Sequence, residues 1–139
     1  MAGAQGSTSP VVVAKRKLIN QTATIPTTTI FTPARDGVYR ISAYATVTKA
    51  DTTSQAWWYL TLAWTDDAGY ENEGSSEMYW NSVGSLGQFF NNSLGNGTGG
   101  LVQIIEAKSG TPITFAMLQA NGSSENSAYS LYYTLELLE

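Results

Sequence analysis

Within residues 38–47, Tyr39, Ile41, Ala43, Ala45 and Val47 share one parity, and Arg40, Ser42, Tyr44 and Thr46 share the other. A strand turns successive side chains to opposite faces, so this pattern predicts a half-buried β-strand with one core face. The pattern recurs in residues 57–64, where Trp58, Leu60, Leu62 and Trp64 alternate with Trp57, Tyr59 and Thr61. It recurs again at the C-terminal end: Tyr129, Leu131, Tyr133, Leu135 and Leu137 form one face, Ser130, Tyr132, Thr134 and Glu136 the other. No segment sustains a 3.6-residue period. An all-β chain follows, and recurrent strands with one apolar face must pair two sheets to bury it.

The punctuation between these segments supports short strands. Residues 18–33 are dense in Thr, whose β-branching favours extended backbone, and Pro26 and Pro33 exclude a long helix and point to edge strands. Asp36-Gly37 supplies turn chemistry before the first clear strand, and residues 108–112 supply it between strands at 101–107 and 113–119. Residues 121–126 read as a polar loop, 86–90 as a short strand, and the glycine- and asparagine-rich run 91–100 as a long loop. Residues 1–10 are small and polar and end in Pro10, which predicts a flexible arm ahead of a single β-sandwich domain over 11–139. About eight strands are expected, in a two-sheet antiparallel sandwich with jelly roll as the leading topology.

Composition narrows function by exclusion. The chain has no Cys and no His, which removes thiol nucleophiles, Cys-based zinc sites, serine-type triads and His acid/base chemistry. A formal net charge of −4 gives no broad footprint for a phosphate backbone, so no nucleic-acid partner is expected. No apolar stretch reaches the ~18 residues of a membrane span, and the N-terminal residues lack a hydrophobic signal core. The reading is a non-enzymatic structural or adhesive protein with no cofactor and no metal.

Four residue groups deserve weighing. Lys15, Arg16 and Lys17 form either a basic arm for an acidic partner or a solvated run beside the first strand, the plainer reading. Asp66, Asp67, Glu71, Glu73 and Glu77 offer calcium-type oxygens but lack the EF-hand register, and a solvated hairpin with an acidic loop accounts for them. The same carboxylates fit a glycosidase pair only by composition. Trp57, Tyr59, Tyr70, Tyr79 and Trp80 form a candidate sugar-stacking platform, which makes a lectin-like carbohydrate-binding module the alternative function. Tyr44 and Tyr132, set among Ser42 and Ser130 opposite the core faces, are the candidate subunit interface, because a phenol ring buries well while its hydroxyl keeps a hydrogen bond.

The order of Phe31-Thr32-Pro33, then residues 36–43 (Asp-Gly-Val-Tyr-Arg-Ile-Ser-Ala), then Lys108-Ser109-Gly110-Thr111 before a core strand, and a closing aromatic strand at 129–138, resembles tumour necrosis factor-like and complement-like jelly rolls. The resemblance spans residues 18–138, and the run at 91–100 departs from it. It implies a homotrimer, and domains of this shape recur as bacteriophage decoration proteins, head fibres and tail components. Other virion proteins or surface glycans are the implied further partners.

Overall fold

The computed structural model describes residues 9–49, 57–74, 98–120 and 128–139. These residues form eight strands and no helix: β1 (Val11–Gln21), β2 (Ile25–Phe31), β3 (Gly37–Lys49), β4 (Trp57–Asp66), β5 (Gly69–Gly74), β6 (Thr98–Ala107), β7 (Ile113–Ala120) and β8 (Ala128–Leu137). They build two four-stranded sheets, ordered β1-β8-β3-β6 and β2-β7-β4-β5, with antiparallel pairing throughout. The pairs β1·β8, β2·β7, β3·β6 and β4·β5 nest as one long hairpin folded over on itself, which is jelly-roll connectivity.

The predicted inner faces meet between the sheets. Tyr39, Ile41, Ala43 and Ala45 of β3 and Tyr129, Leu131, Tyr133 and Leu135 of β8 pack against Trp58, Leu60, Leu62 and Trp64 of β4 and Ile113, Phe115 and Met117 of β7. Trp58 lies 4.6 Å from Tyr129, and Phe115 lies 5.2 Å from Tyr133, in tilted ring contacts that join the sheets. Val47 lies in β3, and Leu137 packs half-buried at the core margin.

Two expectations, the loop at 98–100 and the exposure of Ser130, are corrected, and the hairpin expected at the acidic stretch is present. Thr98, Gly99 and Gly100, assigned to a loop, begin β6 and pair with Thr46, Ala45 and Tyr44. The acidic stretch contains a strand, β5, which pairs with β4 through a tight turn. Ser130, placed on the outward face with Tyr132, is buried. Its parity is outward, but β1 roofs it: the register slips between Leu18 and Gln21, Asn20 takes a left-handed φ of 51°, and its N–H donates to Ser130 Oγ at 3.0 Å. The short strand at 86–90, most of the 91–100 run, residues 121–126 and nearly all of the arm lie outside the described residues.

Candidate functional site: a trough on an outer sheet face

The outer face of the β1-β8-β3-β6 sheet is organised by register into rows across the strands. One row runs Lys15, Thr134, Ser42, Val102; the next runs Lys17, Tyr132, Tyr44, Gly100. A third carries Val12, Glu136, Arg40 and Ile104. Because Ser42 and Thr134 of the first row are short beside Tyr44 and Tyr132 of the second, a trough of about 820 Å³ opens along them, lined among others by Lys15, Lys17, Ser42, Tyr44, Val102 and Tyr132.

The aromatic wall is ordered by its neighbours. Tyr44 and Tyr132 face each other across β3 and β8 and stack with centroids 4.7 Å apart and planes 18° from parallel. Lys17 Nζ sits 5.7 Å from the Tyr132 centroid, within cation–π range. On its other side Tyr44 has Gly100 as cross-strand partner, a residue with no side chain to cover the ring. In the third row, outside the trough, Arg40 Nε and Nη2 donate to Oε1 and Oε2 of Glu136, both at 3.1 Å, and this paired carboxylate holds the guanidinium above its ordinary pKa. The surface is apolar beyond these groups, with Val102 67% and Ile104 59% exposed and Tyr44 49% exposed.

One end of the sandwich is held by Lys108. Its ammonium reaches Asp67 at 2.6 Å and Asp36 at 3.4 Å, so one cation joins the β2–β3, β4–β5 and β6–β7 connections. Ser109 N–H donates to Asp36 Oδ1 at 2.8 Å and Gly110 N–H to the Pro33 carbonyl at 2.8 Å; Gly110 takes φ 74°, a conformation that suits glycine. The Ser109 backbone bond, then Lys108, lowers the Asp36 pKa, and the Lys108 hydrogen bond lowers that of Asp67. Glu106 is pushed up, first by the charge of Asp67 beside it.

The acidic stretch serves the hairpin. Asp66 Oδ1 accepts from the Ala68 and Gly69 N–H groups at 2.7 and 3.2 Å, which fixes the β4–β5 turn, and Asp67 is engaged by Lys108. Among the described residues no group of three or more acidic side chains is placed to hold a metal. Of the candidate sugar platform, Tyr59 and Tyr70 are both on the outer side of the β2-β7-β4-β5 sheet, but Tyr70 pairs with Thr65, six positions from Tyr59 along β4, roughly 20 Å at a strand's rise per residue. Trp57 begins β4, and Tyr79 and Trp80 lie outside the described residues. The structure therefore brings together Tyr44, Tyr132 and Ser42, buries Ser130 apart from them, and separates Tyr59 from Tyr70.

Sequence reasoning missed the lysines as the rim of the trough and missed Val102 and Ile104. Residues 101–105 are apolar at both parities, so no alternation marks which of them face outward. The position of Lys15 and Lys17 beside the tyrosines depends on β1 pairing with β8, a contact between opposite ends of the chain.

No protein-family model matches the chain. No curated protein matches it either. Among solved structures, the infectious bursal disease virus VP2 subviral particle is similar at 12% identity and a TM-score of 0.32, over 93% of this chain. The match spans about a third (35%) of that chain. At that score the likeness carries neither topology nor function to this protein.

Proposed function

We propose that this chain is a non-enzymatic structural or adhesive protein that assembles with copies of itself through the outer face of the β1-β8-β3-β6 sheet, as a homotrimeric component of a bacteriophage virion. The observation that carries self-association is the apolar outer face itself. Tyr44, Val102 and Ile104 are more than two-fifths exposed on adjoining rows of a face turned away from the core. Burying contiguous apolar area is the driving force of most protein association, and a stacked Tyr pair suits the centre of such a contact. The number three and the virion setting, whether as decoration, head fibre or tail-associated protein, come from the resemblance to tumour necrosis factor-like and complement-like jelly rolls.

Light scattering after size exclusion at micromolar concentration tests it. A mass near three times 14.9 kDa is expected, and a mass near 14.9 kDa that does not change on tenfold concentration overturns the reading. Absence of turnover has its own check: hydrolysis of a polysaccharide panel, lost on Asp67→Asn or Glu71→Gln, would assign the carboxylates to catalysis. A glycan-array hit lost on Trp57→Ala or Trp80→Ala, with folding intact, would replace assembly by sugar binding.

A further inference from the structure

We infer that the contact between copies is head-to-tail: the basic β1 side of one copy, at the lysine end of the trough, receives the acidic β5–β6 side of a second copy. This rests on the self-association reading and names the other half of its contact.

Charge is partitioned between the sheets. The strands of the first sheet carry Lys15, Arg16, Lys17, Arg40 and Lys49 against Glu106 and Glu136. Those of the second carry Asp66, Glu71 and Glu73 and no basic residue. Arg40 is spent on Glu136, which leaves the positive charge concentrated on β1, where Lys15, Arg16 and Lys17 are all exposed and have no ion-pair partner among the described residues. In a chain of net charge −4 that concentration is local and unbalanced.

The negative charge lies across the molecule. β1 ends the first sheet on the side where it abuts β2; β6 ends it on the other side, where it abuts β4, and β5 lies beyond β4. On that side exposed Glu106 of β6 stands with Asp66 and Asp67 of the turn, close enough that Asp67 and Asp66 both hinder its ionisation; Lys108 offsets Asp67, and β5 beside them adds Glu71. Tyr70, 69% exposed on β5, adds an aromatic tip to this acidic side.

The two sides of one copy lie at opposite edges of the sandwich, so neither can satisfy the other. A two-fold contact of the face with itself cannot close on three copies, and about an axis across the strands it would set β1 with Lys15 and Lys17 against β1, where like charges suppress association. Basic side against acidic side pairs unlike charges and gives every copy one surface of each kind. Such a heterologous contact generates a ring where the rotation closes, which is the geometry three copies require.

Charge exchange decides it. The pair Lys15→Glu/Lys17→Glu and the pair Glu71→Lys/Glu106→Lys are each expected to weaken self-association roughly tenfold or more at low salt, read by light scattering over a dilution series, with circular dichroism confirming the fold. The chain carrying all four substitutions is expected to regain the wild-type assembly state. If Glu71→Lys/Glu106→Lys associates normally, or the fourfold variant stays dissociated, the head-to-tail contact is overturned while self-association stands. A wild-type chain that is monomeric throughout overturns the self-association reading itself.

Discussion

On the outer face of the β1-β8-β3-β6 sheet, Tyr44, Val102 and Ile104 stand exposed on a face that also carries a lysine rim and an Arg40–Glu136 pair. Across the outer face of the β2-β7-β4-β5 sheet, the row Thr29, Thr114, Ala63 and Asn72 is short and uncharged, and the aromatics of that face, Tyr59 and the 69% exposed Tyr70, stand apart by roughly 20 Å rather than stacked. Both faces sit on strands whose inner residues build the same core, so core packing dictates neither. Side chains of middle size and no charge are what a solvated sheet needs. Large apolar groups, unpaired cations and a stacked tyrosine pair on the other face exceed that need, and the difference singles out one face as a contact surface.

The largest expected effect tests the premise that the core is common to both faces. Leu131→Ala in the first sheet and Leu62→Ala in the second remove side chains that are 0% and 1% exposed, and each should cost about 2–5 kcal/mol in urea unfolding. Costs that differ by more than that range would mean the sheets have separate stabilities, and the comparison of their outer faces would lose its common reference.

Tyr129→Phe comes next. The Tyr129 hydroxyl donates to the Ala23 carbonyl at 2.7 Å and ties the β1–β2 connection to β8; removing it should cost about 1–2 kcal/mol. Burial pushes the Tyr129 phenol above its ordinary pKa. A group raised in the folded state contributes stability that is complete below its unfolded value, near ~10 for tyrosine, and is lost as pH rises beyond it. Thermal melting between neutral and strongly alkaline pH should therefore show an alkaline loss that Tyr129→Phe reduces; equal losses in both chains would assign it elsewhere.

Substitutions on the outer faces sharpen the contrast directly. Tyr44→Ala removes the stack on Tyr132, worth about 0.5–1.5 kcal/mol, and should also weaken assembly, whereas Thr114→Ala on the opposite face should leave the assembly state unchanged. If both lower the mass measured by light scattering to the same extent, the faces are equivalent and the contact surface is wrongly assigned.

The smallest effect concerns the Lys108 clamp, which belongs to neither face. Asp36 and Asp67 are held below the ordinary carboxylate range, so their contribution is present above about pH 4 and is lost as pH falls further. Lys108→Met should flatten that acid branch of a melting curve against pH, and an unchanged branch would show that the clamp contributes nothing measurable.

Alternation in β3, β4 and β8 made strands, inner faces and the pairing of two sheets legible before any coordinates, because inward and outward parity is a local property of extended backbone. It also placed Tyr44 and Tyr132 on outward parity. A hairpin was legible at the acidic stretch but the bounds and register of β5 were not: Gly-Tyr-Glu-Asn-Glu-Gly has no apolar face, and it forms a strand because β4 offers it a paired edge beyond the Asp66 turn. Ser130 shows the limit of parity most clearly, since outward means exposed only where nothing crosses above, and the slipped end of β1 does.

The sequence by itself determined which residues face the core and which chemistries are absent, through the identity and spacing of neighbours a few positions apart. The tertiary structure alone decided that Lys17 meets Tyr132, that Lys108 joins three connections, and that the basic β1 side lies opposite the acidic β5–β6 side. Each of these depends on registers between segments far apart in the chain, and a nested hairpin sets those registers only when the whole sandwich closes.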